Sequence, residues 1–159
     1  MTSPNQQDTI FVNQEADAWF ERNAEFATTP ISSEHRVLQA LKRITLPQQG
    51  VLLDVGGASG KVAAGFQREY PEWRCCVVEP SGKAIATGRV AFPQIEFCQG
   101  SITQPEGLPW TGVDVVIVSG VFCWVDRSLL SRAVCNIDLA LKDSGFLLIS
   151  DFDSPFLRA

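Results

Sequence analysis

Val51-Leu52-Leu53-Asp54-Val55-Gly56-Gly57-Ala58-Ser59-Gly60-Lys61 carries an apolar run straight into a glycine-rich bend and out again into a helix-compatible segment. An apolar run of five residues bounded by turn signals reads as a strand buried on both faces, the kind found in parallel sheets. Glycine lets the backbone take positive φ and lets a ligand approach where a Cβ would obstruct it. The helix that follows offers unpaired N–H groups at its start. The bend is therefore a ligand-approach device as well as a turn.

Outward from this stretch the same texture repeats. Short apolar runs at 51–55, 75–78, 95–98, 113–118 and 146–149 alternate with amphipathic segments. Val62, Ala63, Phe66 and Tyr70 align on one stripe that Pro71 ends. A second stripe, expected to start at the N-cap Asp126, contains Leu129, Leu130, Ala133, Val134, Ile137, Ala140 and Leu141 and stops before Gly145. Two further helices precede the first strand. One carries Ala16, Trp19, Phe20 and Ala24; the other carries Val37, Leu38, Leu41 and Ile44 behind the capping serines Ser32 and Ser33. This alternation predicts an α/β fold, a doubly wound, mostly parallel sheet with helices on both faces. Residues 1–10 read as a flexible polar N-terminus and 11–159 as a single domain.

Composition narrows the function. A chain of 159 residues with 45% hydrophobic content is enough for one core, and a net charge of −5 with scattered Lys and Arg argues against a nucleic-acid partner. The sequence shows no signal-peptide pattern and no apolar stretch near the ~20 residues that span a bilayer, so a cytoplasmic chain without a membrane partner is expected. The five cysteines, Cys75, Cys76, Cys98, Cys123 and Cys135, form no C-x-x-C pair and sit in apolar runs, as small core residues of a reducing compartment do. His35 is the single histidine, which leaves little from which to build a zinc site or a Ser-His-Asp triad, and no metal is expected.

Two acids refine the reading of the bend. Asp54 closes the first strand, and Glu79 closes the second about 20 residues after the bend, where an acid accepts from ribose hydroxyls. A dinucleotide fingerprint requires G-x-G-x-x-G, whereas the glycines here are Gly56, Gly57 and Gly60. Asp54 would also set a negative charge beside a pyrophosphate. A cationic sulfonium with an α-ammonium group suits it better, because opposite charges attract more strongly in a partly desolvated cleft than in water. A nicotinamide-dependent oxidoreductase and a non-catalytic nucleoside-binding scaffold are the alternatives.

Asp54-Val-Gly-Gly-Ala-Ser-Gly60 resembles the D/E-x-G-x-x-x-G motif of class I S-adenosylmethionine-dependent methyltransferases. The segments Ala16–Asn23, Val121–Arg127 and Asp151–Pro155 are similar to those of a bacterial group associated with surface-polysaccharide genes. The resemblance implies S-adenosylmethionine as cofactor and a small-molecule methyl acceptor, with a sugar or sugar-nucleotide hydroxyl as the first guess. It implies that Gly56, Gly57 and Gly60 pack on the methionine part, that Asp54 anchors its ammonium end and that Glu79 holds the ribose. The family usually offers an acid to the adenine after the third strand; here Ser101 and Ile102 stand at that place. Ser119, Gly120 and Phe122 match positions beside the methionyl moiety. If the acceptor is a hydroxyl, a general base is required, and Asp151, Asp153 and Asp17 are the candidates. Members of the family add two strands beyond the fifth, so the sheet is expected to be truncated after strand five, with a protein partner or self-association at the exposed edge.

Overall fold

A computed structural model describes residues 6–152. Five strands, β1 (Val51–Val55), β2 (Arg74–Glu79), β3 (Glu96–Gln99), β4 (Val113–Ser119) and β5 (Leu141–Ser150), form one sheet in the order β3-β2-β1-β4-β5. Every pairing is parallel, with Asp54 opposite Val77 and Ile117. In this order the chain reverses its direction of travel between β1 and β4, and the crevice at the carboxyl ends of those strands is where such sheets take ligands. The doubly wound architecture expected from the sequence is the one observed.

Alternation along the strands sorts side chains onto two cores. Leu52, Cys75, Val77, Val115 and Ile117 meet Phe66 of α4 (Lys61–Glu69), Trp73, and Val37, Leu38 and Leu41 of α3 (Arg36–Leu41) on one face. Leu53, Val55, Cys76, Val78, Val116 and Val118 meet Leu129 and then Ala133, Ile137 and Ala140 of α6 (Leu130–Ala140) on the other. By the same parity Asp54 and Glu79 belong to the first face, among apolar neighbours. Between β2 and β3 lies α5 (Gly82–Ala91), capped by Ser81, whose hydroxyl accepts from Ala84 N at 3.0 Å.

The structure corrects several local expectations. The N-terminal stretch expected to be flexible is helical from Gln6 on: α1 (Gln6–Ile10), a π-helical turn (Phe11–Glu15) and α2 (Ala16–Arg22) run end to end. Its anchors are remote in sequence, since Asp8 N donates to Asp126 Oδ2 at 3.0 Å and Phe11 packs on Trp124 with ring centroids 4.7 Å apart. Residues 1–5 lie outside the described residues. The cap of α3 is His35, whose Nδ1 accepts from Val37 N at 3.4 Å, not a serine. Asp126 opens a 3-10 turn without a side-chain cap, because its carboxylate serves Asp8 instead.

The last helix ends at Ala140 rather than before Gly145, because Leu141 pairs with Val113 and Lys142 bridges to Asp114. Leu130 and Val134 turn outward, which leaves Leu129, Ala133, Ile137 and Ala140 as the buried stripe. β5 is an outer strand, as β3 is at the other end of the sheet, and Phe146, Leu147 and Ile149 on it are exposed. No helix among the described residues is long and apolar enough to cross a membrane.

Candidate functional site

The bend after β1 has the conformation that its glycines permit. Gly56 (φ +71°) and Gly60 (φ +79°) hold left-handed backbone, where an L side chain is strained. Space is short as well: a Cβ on Gly56 would lie 2.5 Å from Val121 Cγ2, and one on Gly60 2.8 Å from Phe97 Cζ. Gly56 N donates to Val78 O at 2.7 Å, and Gly60 N to Gly57 O at 2.8 Å. The Ser59 hydroxyl, fully buried, donates to Ala27 O at 2.6 Å and ties the bend to the loop after α2. Such remote bonding had no local signal in the sequence.

Glu79 reaches across from β2 to complete the bend. Its Oε2 accepts from Ala58 N and its Oε1 from Ser81 N, both at 2.9 Å. Burial raises its pKa, and these two backbone donors work against the rise. Asp54 sits behind the bend, 2% exposed, and its Oδ2 has no hydrogen-bond partner. A Cβ on Gly57 would lie 2.7 Å from that oxygen, so the absence of a side chain there is what admits the carboxylate. Desolvation first, and the charge of Glu79 second, push the Asp54 carboxyl up to about 7. A bound cation would oppose both effects. An orphaned carboxylate oxygen and a bend that excludes side chains together fit a cationic ligand with a polar hydroxylated part.

A pocket of about 230 Å3 opens at the carboxyl ends of β1 to β4. Of the sequence-predicted residues, Gly56, Glu79, Ser101, Ile102, Ser119 and Gly120 lie on its wall. Asp54, Gly57, Gly60 and Phe122 do not; the first three shape the bend from behind. The sequence reading missed Asp8, Phe11 and Val12, which close one side of the pocket from the N-terminal helix. Trp19 of the α2 stripe and Trp124 of the Val121–Arg127 segment also line the wall. The volume is below the ~300–1,000 Å3 usual for ligand sites, as befits a crevice that the N-terminal segment enters.

The candidate bases have other partners. Asp17 accepts from Ser81 Oγ at 2.6 Å and from Lys83 N at 3.1 Å, so it docks α2 on the start of α5, and the Ser81 hydroxyl leads the effects that lower its pKa. Asp151 Oδ2 accepts from Phe122 N and its Oδ1 from Phe152 N, each at 2.8 Å. Asp153 lies outside the described residues. One residue without a sequence signal holds the loop after β3: the buried Asn136 of α6 donates through Nδ2 to Ile102 O at 2.8 Å and Gln104 O at 2.9 Å. No group of three His, Cys, Asp or Glu among the described residues is placed to hold a metal ion.

Comparison with known proteins bears on the family and the fold. A trans-aconitate 2-methyltransferase of Azoarcus sp. (strain BH72) is 25% identical over 122 residues, 74% of this chain and 46% of the relative, so the chain spans about half of that protein's length. The TehB-like SAM-dependent methyltransferase of Corynebacterium glutamicum superposes with a TM-score of 0.67 at 20% identity, over 85% of this chain and 71% of that one. A Haloferax volcanii methyltransferase in complex with the Trm112 methyltransferase activator gives 0.68 at 21% identity, over 85% and 58%. At these identities the two structures establish the shared fold. The family described as methyltransferase domain matches residues 24–159, most of the chain including the whole sheet, and the chain belongs to that family.

Proposed function

We propose that this chain binds S-adenosylmethionine in the crevice at the carboxyl ends of β1, β2 and β4 and transfers its methyl group to a small-molecule acceptor. The observation that carries the reading is the orphaned Asp54 Oδ2 behind a crevice lined by Glu79: buried negative potential with no cation among the described residues to answer it. The Corynebacterium structure is named as SAM-dependent, which supports the cofactor assignment.

In this reading Glu79 accepts from the ribose hydroxyls with lone pairs left over by Ala58 N and Ser81 N, since a carboxylate has about four acceptor sites. Gly56, Gly57 and Gly60 let the backbone approach the methionyl part, beside Ser119 and Gly120, and Asp54 balances its ammonium group. Ser101 and Ile102 border the base. Phe122 acts from outside the wall by holding Asp151. When bound, the cofactor supplies an electrophilic methyl group on a sulfonium.

The work left to the protein is alignment of the acceptor with that methyl and exclusion of water, which Trp19, Trp124, Phe11 and Val12 serve as apolar wall. Neither Asp17 nor Asp151 is among the residues that line the crevice, so positioning rather than proton abstraction by either is the proposed source of rate. The acceptor classes to test first are a sugar or sugar-nucleotide hydroxyl, as the surface-polysaccharide resemblance suggests, and a small carboxylate, as the name of the Azoarcus relative suggests. The outer side of β5, unpaired among the described residues and with Phe146, Leu147 and Ile149 exposed, is proposed as the place for a protein partner or a second copy.

Titration calorimetry with S-adenosylhomocysteine, S-adenosylmethionine and NAD tests the proposal. Micromolar binding of the first two without NAD is the expected result. NAD binding alone would make the chain a nicotinamide protein, and silence from all three would leave a scaffold.

A further inference from the structure

Resting on the cofactor reading above, we propose that Asp8 accepts a hydrogen bond from the exocyclic amino group of the cofactor's adenine and so selects an adenosyl over an inosyl nucleoside. The strand order dictates where the base must lie. With the ribose at Glu79 on β2 and the methionyl part toward Gly56, Ser119 and Gly120 on β1 and β4, the base points the other way, toward the end of β3. The wall there is Gly100, Ser101 and Ile102. Gly100 has no side chain and Ile102 is apolar. The Ser101 hydroxyl is already engaged with Thr103 Oγ1 at 2.9 Å and Thr103 N at 3.3 Å. Nothing carried by β3 or its following loop supplies an anionic acceptor to that part of the wall.

Asp8 does. Among the described residues it and Glu79 are the two charged ones lining the pocket, and Asp8 stands on the β3 side, each carboxylate oxygen 3.0 Å from Thr103 Oγ1. Thr103 has one proton to give, so most of the lone pairs of Asp8 remain available. The carboxylate is held from both directions along the chain, by Asp8 N on Asp126 Oδ2 and by Phe11 on Trp124. Burial raises its pKa, as partial removal from water should, and such a group makes stronger hydrogen bonds than a solvated one. An amino group donates to it. The carbonyl oxygen that replaces that amino group in hypoxanthine meets it as acceptor against acceptor.

The test titrates S-adenosylhomocysteine and S-inosylhomocysteine into the full chain and into Asp8→Asn, Asp8→Ala and Thr103→Val, each checked for folding by thermal melt. The native chain should prefer the adenosyl ligand by about tenfold or more, the ratio expected of one charge-assisted hydrogen bond. Asp8→Asn, whose amide can donate as well as accept, should bring the two affinities together, and Asp8→Ala should weaken the adenosyl ligand while sparing the inosyl one. Thr103→Val removes the latch but keeps the carboxylate, and should keep the preference. Equal weakening of both ligands by Asp8→Asn and Asp8→Ala would overturn the inference and leave Asp8 as a latch alone. Failure of the native chain to bind either ligand would bring down the cofactor reading itself.

Discussion

The backbone N–H of Ala58, held at φ +50°, donates to Glu79 Oε2 across 2.9 Å, so the acid that ends the second strand fixes the bend that follows the first. A non-glycine residue at positive φ is uncommon and persists only where its surroundings over-determine it. The carboxylate proposed to hold the ribose is thus also part of what shapes the cradle, and loss of either role is felt in the other.

Glu79→Gln offers one acceptor oxygen where two backbone N–H groups need one each. Stability should fall by about 1–3 kcal/mol in urea denaturation, the usual cost of leaving a buried donor unpaired. Affinity for S-adenosylhomocysteine should fall about tenfold or more by calorimetry. An unchanged dissociation constant would remove Glu79 from the ribose site.

Gly56→Ala meets both the positive φ and Val121 Cγ2, 2.5 Å from where the new Cβ would stand. A loss of about 1–3 kcal/mol is expected from the backbone strain alone. Combining it with Val121→Ala should relieve the collision and leave the strain, giving a coupling of about 0.5 kcal/mol or more in a double-mutant cycle. Strict additivity would show that the two side chains do not collide.

Asp54 makes stability and cofactor affinity run in opposite directions with pH. Its carboxyl is raised from the usual 3.8 to about 7 in the fold, so the folded state holds a proton that the unfolded chain has released between those values. The stabilising contribution is complete below pH 4 and is lost as pH rises through 7. Asp54→Asn should therefore gain melting temperature relative to the native chain at pH 8 and not at pH 4. Over the same window the native chain should bind S-adenosylmethionine more tightly as Asp54 ionises, and Asp54→Asn should flatten that profile. A native profile that is flat between pH 6 and 8 would show that Asp54 does not sense the ligand.

Asn136 of α6 secures the loop after β3 through two carbonyls, those of Ile102 and Gln104. Asn136→Leu keeps the branched shape of the side chain but orphans both acceptors, and should cost about 1–3 kcal/mol. Faster amide hydrogen exchange at 101–104 is the accompanying signature; protection unchanged in that loop would refute the positioning role.

The strands were legible in the sequence because short apolar runs bounded by turn signals and glycine at the bends are local properties: Val51–Val55, Asp54, Gly56 and Glu79 all read as strand, strand end and turn without reference to the rest of the chain. The same local logic misread residues 6–10, a mostly polar stretch, as flexible, and gave no role to Asp8 within it or to Phe11 just after it. Their helix is specified by Asp126 and Trp124, more than 100 residues away, and that information exists only once the sheet has brought the ends of β3 and β4 beside it. Which acids share the crevice was decided likewise. Asp54 and Glu79 are equivalent in pattern, yet two backbone donors reach Glu79 and none reaches Asp54 Oδ2, because hydrogen-bond partners are assigned by tertiary proximity and not by spacing along the chain.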